Sequence, residues 1–279
     1  TGLTLNLKNP TRFPEKLQWL KLFYRDDRMP LCSDKYTVRA FIAQQGYGSL
    51  LNELYGVYED VDDIDWKSLP DKFIMKASHG SGWNLIVQDK SKVSWFLWKK
   101  IFKLSMKQDL SVYGREWNYH GLTPRVIIEK YLEDDSGQLR DYKIICLNGK
   151  PSFMQVDQNR GADSQKRTYI RMDGTALDIR DGYPPIEGFR VEEIHHELFK
   201  ISEKLAIMAP YVRVDFYLLG EKIFFGELTF FGASGFYSFE PDEWNTVLGD
   251  ELILPEPNFN LELYEKIQKE AEPAQALDD

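Results

Sequence analysis

The sequence predicts an α+β protein built on antiparallel sheets, with helices packed over them. Two observations carry that expectation. Apolar runs of strand length turn back on themselves across short polar loops at 72–88, 141–157 and 211–228. Between the last two, Val191, Ile194, Leu198, Ile201 and Leu205 recur at alternating three- and four-residue steps, the period of an amphipathic helix lying on a sheet.

Taken in order, residues 12–25 place Leu17, Leu20 and Tyr24 on one helical stripe with Phe23 beside it, a packing helix. Asp34 is a good N-cap. From it DKYTVRAFIAQQ is expected to run as a helix until Gly46 stops it, with Val38, Phe41 and Ile42 inward and Lys35 in the first turn. After the acidic connector YEDVDDIDWKSLPD, residues 72–77 read as a strand, 79–82 as a tight loop and 83–88 as a returning strand. Strands are expected at 126–131 and 141–147, and Asn148-Gly149 is a strong type I′ turn signal into a partner strand at 151–157. Residues 211–218 and 223–228 form the last hairpin, and the tail from about Glu256 reads as polar and frayed.

Composition sets limits on function. With 279 residues, 43% of them hydrophobic, the chain is long enough to bury a core as one large domain or two modest ones. No run of about 18 apolar residues is present, so no integral membrane segment is expected. The opening TGLTLNLKNP lacks the basic and apolar stretches of a signal peptide, and a cytoplasmic address is the expectation. Cys32 and Cys146 have no metal or redox spacing and read as buried thiols. A formal charge of −9 argues against non-specific attraction to nucleic acid or anionic lipid, so an anionic ligand needs a local basic site.

Four stretches carry chemistry. The loop Ser78-His79-Gly80-Ser81-Gly82 offers two glycines whose missing side chains let backbone amides approach phosphate oxygens. It is neither a Walker loop nor a dinucleotide fingerprint, and a plain hairpin turn remains the alternative. Lys76 ends the strand before that loop, where a partly desolvated ammonium wants an anion. The alternative is a rim lysine snorkelling to water. Arg213 and Asp215 share one face of a strand, as do Glu227 and Thr229 on the next, while Val212, Val214 and Phe216 take the other face. If the connecting loop is the three residues 220–222, Asp215 lies opposite Glu227 with Cβ atoms about 5 Å apart, a pair that suits Mg²⁺. A two-residue loop puts them on opposite faces, and an exposed charge pair is the alternative reading. Glu129-Lys130-Tyr131-Leu132 ends another strand, which either leaves the sheet or lends its backbone groups to a purine edge between Tyr131 and Leu132. No GxSxG elbow is present, and the neighbours His195 and His196 diverge too far on a helix to share a metal.

In this order, the Asp34-Lys35 helix start, Lys76 before a small Gly loop, the EKYL strand end and the RVDFY…GELTF hairpin resemble the ATP-grasp superfamily. The segments LNLKNPTRFPEKLQWLKLF, DKYTVRAFI, LPDKFIMKASHGSGWN, GREWNYHGLTPRVIIEKYLEDDSGQLRDYKI, LNGKPSFMQVD and VRVDFY resemble its TupA-like family over roughly residues 5–255. The resemblance implies Lys35 and Lys76 on the phosphates of ATP, the Ser78, His79, Gly80, Ser81, Gly82 loop closing over them, and Glu129, Lys130, Tyr131 and Leu132 at the adenine. Asp141 is implied at the ribose, Asp215 and Glu227 as Mg²⁺ ligands, and Arg213 on the transferred phosphoryl group. Thr229 stands where the superfamily usually has Asn, as a further metal contact, and the turn Phe231-Gly232-Ala233 lacks the expected proline.

The implied architecture is an ATP-grasp fold with two α+β subdomains gripping the nucleotide between antiparallel sheets. Its segments are a reduced N-terminal region at 1–70, a small subdomain at 71–132, a C-terminal subdomain at 133–255 and a tail at 256–279. The implied activity is carboxylate–amine ligation through an acyl phosphate, with a small-molecule amine or amino acid and a carboxylate sugar or polysaccharide precursor as partners, and no nucleic acid. The basic stretch with Arg160, Lys166, Arg167 and Arg171, beside Asp157, is the expected holder of the carboxylate substrate, a solvated loop being the alternative. Two other readings stay open: a metal-dependent glycosyltransferase using a nucleotide sugar, and a non-catalytic carbohydrate-binding protein with Trp83, Trp117 and Trp244 as platforms.

Overall fold

The computed structural model describes residues 5–134, 139–206 and 209–269. Three helices come first: α1 (Phe13–Phe23), α2 (Arg28–Ser33) and α3 (Val38–Gln44). Glu15 ties down the start of α1 by accepting the backbone N–H of Thr11 and Arg12, donors the helix itself leaves free. The stripe that α1 buries is Phe13, Leu17, Leu20 and Phe23, and Tyr24 is its half-buried cap. The helix expected to open at Asp34 starts four residues later. Asp34 Oδ1 accepts from the backbone N–H of Tyr36 (2.8 Å) and Thr37 (2.9 Å), a side-chain turn that competes with helix, so Lys35 sits in the corner between α2 and α3. Val38 and Ile42 are buried, and Phe41 is half-buried.

Next come β1 (Leu54–Tyr58), β2 (Phe73–Ala77), β3 (Asn84–Val87), α4 (Trp95–Ser105), α5 (Leu110–Gly114) and β4 (Val126–Lys130). The four strands form an antiparallel sheet in the order β1-β4-β2-β3. Its alternation is clean. Phe73, Met75, Leu85, Val87, Val126 and Ile128 face a core closed by Phe102 of α4. Ile74, Lys76, Asn84, Ile86 and Glu129 face the other way, into a cleft. The strand β1 escaped the sequence reading because Leu54–Tyr58 is half-buried throughout and carries no alternation.

The rest of the chain adds β5 (Asp141–Leu147), β6 (Lys150–Gln158), β7 (Lys166–Ile170), β8 (Ala176–Leu177), α6 (Glu193–Leu205), β9 (Tyr211–Leu219), β10 (Lys222–Thr229), α7 (Glu243–Glu251) and α8 (Leu261–Lys269). The strands make a six-stranded antiparallel sheet in the order β10-β9-β5-β6-β7-β8. Leu198, Ile201 and Leu205 of α6 are buried with Val212, Val214, Phe216 and Ile144, so the amphipathic period was a sound guide. The opposite face is divided. At one end Phe13 of α1 packs on Tyr211, with ring centroids 5.8 Å apart, and α7 lies beside α1. At the other end the same face is charged and open. Within the tail expected to fray, Leu261–Lys269 form α8, whose Tyr264 and Ile267 pack against the main core, Tyr264 meeting Trp19 and Phe23 edge-on, and the rest of that tail, 270–279, lies outside the described residues.

Candidate active site

The cleft between the two sheets has a volume of about 560 Å³. The small sheet lines it with Lys76, Ile86 and Glu129, the large sheet with Asp141, Tyr217 and Phe225, and Tyr131 and Leu132 lie at the crossing between them. Apolar walls with a few convergent charges suit a flat ring bearing an anionic tail.

On the small-sheet side Lys76 Nζ donates to Glu129 Oε2 at 2.8 Å, and Arg39 donates to the other carboxylate oxygen at 3.0 Å. Two cations thus converge on one carboxylate. Lys35 Nζ reaches the carbonyl of Gly80 and comes within 3.8 Å of Glu227 Oε2, so it touches the Gly loop and the large sheet at once. Within the loop, Ser78 and His79 are buried and already engaged. Ser78 Oγ donates to Asp34 at 2.6 Å, and His79 Nε2 lies 3.1 Å from the Ser105 carbonyl. Their side chains anchor the loop; Ser81 and Gly82 stand at its exposed tip. Lys130 uses its backbone N–H on the Glu53 carbonyl, and its own carbonyl accepts from Asn52 Nδ2 at 2.8 Å. Gln88 Nε2 donates to the Tyr131 hydroxyl at 2.7 Å.

On the large-sheet side the expected three-residue turn is absent. Lys222 pairs with Leu219 across Gly220-Glu221, a two-residue turn that by itself sets Asp215 opposite Gly226. A β-bulge between Phe225 and Glu227 leaves Gly226 without a partner and restores the pairing of Glu227 with Asp215 and Thr229 with Arg213. Glycine relieves a close approach there, since a Cβ would sit 3.0 Å from the Asp215 carbonyl oxygen and push the strands apart by a few tenths of an ångström. The Arg213 guanidinium forks onto both oxygens of Asp215 at 2.6 Å each, and also reaches Glu227 Oε1 (3.2 Å) and Thr229 Oγ1 (3.1 Å). Burial raises the pKa of the Asp215 carboxyl above its ordinary value, outweighing Arg213. For Glu227 burial is overcome by Lys35, Arg213 and Arg160, which hold its pKa down at about 2.

Two carboxylates and a hydroxyl form a hard, oxygen-only set, although among the described residues no group of three or more His, Cys, Asp or Glu is gathered anywhere, this place included. That set fits Mg²⁺, which keeps waters and draws further oxygens from phosphates. The guanidinium between the carboxylates marks the place as one that calls for positive charge.

Much of the basic stretch expected to hold substrate is engaged by carboxylates of the protein itself. Arg160 lies in the exposed loop before β7, whereas Lys166 and Arg167 begin that strand. Arg167 is ion-paired with Asp157 and Asp181, and Arg171 with Glu251 of α7 at 2.5 Å, towards the end of the sheet that α1 and α7 cover. Asp157 is itself buried between Arg167 and Lys143. Of the three arginines, Arg160 alone lines the cleft, 3.7 Å from Asp141.

Sequence reasoning missed Lys143, Arg39 and Glu116. Lys143 lies on β5 opposite Asp215, is 2% exposed, and donates to Asp157 at 2.5 Å. Its signal was available, for it stands two residues after Asp141 and therefore on the same face. Arg39 looks like any solvated helix residue in sequence. Glu116 accepts from Ser234 Oγ at 2.6 Å beside the turn that follows β10, and burial raises its pKa.

A model of the TupA-like ATP-grasp family matches residues 15–253. The chain belongs to that family. The TupA-like protein therefore has the ATP-grasp fold and is a member of the ATP-grasp ligase superfamily. Among solved structures, D-alanine–D-alanine ligase from Bacillus anthracis complexed with ATP is 15% identical, with a TM-score of 0.46 over 87% of this chain and 69% of that one. The D-alanine–D-alanine ligase from Helicobacter pylori is 14% identical, with a TM-score of 0.48 over 88% and 70%. The ATP-grasp ligase PsnB, complexed with Mg, ADP and a phosphomimetic variant of its minimal precursor, is 10% identical, with a TM-score of 0.47 over 82% and 60%. No curated protein matches the TupA-like chain. Among its described residues no helix is long and apolar enough to cross a membrane.

Proposed function

We propose that the protein is an ATP- and Mg²⁺-dependent carboxylate–amine ligase, joining an amino acid or other amine to a uronic acid in the assembly of a surface polysaccharide. The observation that carries the reading is one cleft with Lys76 on its small-sheet wall, near which Lys35, Arg213, Asp215 and Glu227 converge. Residues 71–132 and 133–255 act as the two gripping halves, with β1 contributed by the segment before them.

In this mechanism the adenine lies against Ile74, Ile86, Tyr131 and Leu132, and Asp141 accepts from the ribose hydroxyls. Lys35 and Lys76 neutralise the phosphates, and the tip Ser81-Gly82 closes over them. Asp215, Glu227 and Thr229 hold Mg²⁺, which when bound draws charge from the phosphate oxygens. A substrate carboxylate oxygen attacks the γ-phosphorus, the bond to the β–γ bridging oxygen breaks, and ADP leaves with that electron pair. The acyl phosphate is then attacked by a neutral amine. Phosphate departs, the ammonium proton passes to solvent, and an amide remains. Arg213 stabilises charge on the group in flight, and Arg160 at the cleft is the candidate holder of the carboxylate.

The test is thermal stabilisation by ATP or by UDP-sugars, with and without Mg²⁺, on this protein and on Glu227→Gln. Stabilisation by ATP that needs Mg²⁺ and weakens in the variant is expected, followed by ADP release when uronic acids and amines are supplied together. Stabilisation by a UDP-sugar alone would transfer the cleft to a glycosyltransferase. Stabilisation by free sugars without Mg²⁺ would make it a binding module.

A further inference from the structure

Helix α4 presents a face whose apolar side chains stand exposed, with Asp62 bonded to Lys103 at its edge. At 100° per residue, Phe96, Leu97, Lys100, Lys103 and Leu104 fall within an arc of about 120°, with Lys107 in the turn that follows the helix, while Trp98, Phe102 and Ser105 turn towards the core of the small sheet. Phe96 is 73% exposed, Leu97 54% and Leu104 63%, and Val112 just beyond is 70% exposed. Between Asp89 and Asp109 the chain carries six lysines and no carboxylate, in a protein whose formal charge is −9. Lys99 and Lys103 are tied to Asp62 at 2.7 and 2.6 Å. Lys100 lies 4.2 Å from the ring centroid of Phe96, and Lys107 makes no ion pair among the described residues.

We propose that this face docks the protein on a membrane surface bearing anionic headgroups. Lysines interleaved with protruding Phe and Leu on one convex helix are the make-up of an element lying in a bilayer interface, apolar tips among acyl chains and ammonium groups among phosphates. A protein partner is the poorer match, because interface centres are depleted of lysine and gather apolar side chains in fitted pockets. The acidic remainder of the molecule is repelled by the same lipid, so one orientation is selected. In that orientation the bilayer meets the outer side of α4, across the small sheet from Lys76 and Ile86, and the cleft stays open to water. The inference is independent of which reaction the cleft performs.

Co-sedimentation with vesicles at low salt tests it on the whole chain. Binding is expected to vesicles of phosphatidylcholine mixed with phosphatidylglycerol and not to phosphatidylcholine alone. The partition coefficient should fall about fivefold for each of Lys100→Gln and Lys107→Gln, and binding should disappear in Phe96→Ser/Leu104→Ser. All of these side chains are exposed, so unfolding temperature and stabilisation by ATP should match the parent, which keeps a lost interaction distinct from a lost fold. Absence of binding, equal binding to both vesicle types, or binding indifferent to the variants would overturn the proposal. So would a concentration-dependent dimer that Phe96→Ser abolishes, which would reassign the face to a second copy of the chain.

Discussion

Asp215 and Glu227 face each other across the β9–β10 hairpin because of a bulge and in spite of the turn. The two-residue turn alone places Glu227 out of step, and the unpaired Gly226 puts it back. Inserting an alanine between Gly226 and Glu227 should send Glu227 to the opposite face, since a one-residue slip inverts every side chain beyond it, whereas deleting Gly226 would only remove the bulge and leave Glu227 opposite Asp215. The expected outcome of the insertion is loss of the Mg²⁺-dependent part of stabilisation by ATP. Gly226→Ala should act more gently, costing about 1–2 kcal/mol as the hairpin spreads to admit the Cβ. Urea unfolding together with the ATP–Mg²⁺ thermal shift reads both effects, and an insertion variant that still shows the full Mg²⁺ effect would remove the pair from the cation site.

Lys76 is the clearest lever on rate. One cation about 4 Å from a phosphate oxygen contributes roughly 4 kcal/mol at an effective dielectric near 20, so Lys76→Met should slow ADP release about 1000-fold. Its ion pair with Glu129 lies at the cleft wall, and Arg39 still serves that carboxylate, so the fold should survive. Single-turnover assay beside a urea titration separates the two effects; a rate within tenfold of the parent would show that Lys76 carries no transferred charge.

Lys143 is predicted to matter for folding. It is 2% exposed, bonded to Asp157 and 3.6 Å from Asp141. Lys143→Met leaves buried carboxylates short of a counter-charge, for which a cost of about 3–5 kcal/mol is expected in urea unfolding. A loss below about 1 kcal/mol would mean that Arg167 alone suffices for Asp157.

His195 should make stability fall in mild acid. The backbone N–H of Glu192 donates to His195 Nδ1 at 2.9 Å to close the start of α6, a bond that needs the neutral ring, and burial lowers the pKa from its ordinary 6.5. A lowered folded-state pKa means that the unfolded chain takes the proton more readily. The contribution is therefore whole above pH 6.5 and is lost as pH falls from there through the folded value. Urea midpoints measured from neutral pH downward should decline, and His195→Asn should flatten that decline.

Both thiols should resist alkylation in the folded protein. Cys32 and Cys146 are buried and unpaired, and burial pushes the Cys32 pKa up to about 12 and that of Cys146 higher still. Iodoacetamide labelling should appear only with unfolding, and labelling of the native chain would refute it.

The parts of the fold that the sequence disclosed were those written in local periodicity. The hairpin at Phe73–Ala77 and Asn84–Val87 and the stripe of α6 bury one face and expose the other, and the Asn148-Gly149 turn is written in its own two positive-φ residues. Edge strand β1 and helix α8 take their stability from distant partners, Val126–Lys130 and Trp19 with Phe23, and no local pattern announces such partners. In the site, Arg213, Asp215 and Glu227 were visible through alternation, but the register that joins them hangs on a bulge that composition does not reveal. The ion pairs of Arg167 and Arg171 were hidden for the converse reason, since a basic run looks the same in sequence whether its charges face a substrate or Asp157, Asp181 and Glu251.

The fork of Arg213 over Asp215 and Glu227 gives the protein an internal counter-ion. If those oxygens take Mg²⁺, metal uptake is an exchange of one cation for another, and its affinity is a difference between two attractions. The exchange becomes favourable once a nucleotide offers the guanidinium a new anion. Free Mg²⁺ should then bind weakly and the metal should arrive together with its nucleotide, so that the apo protein guards its carboxylates against stray divalent ions.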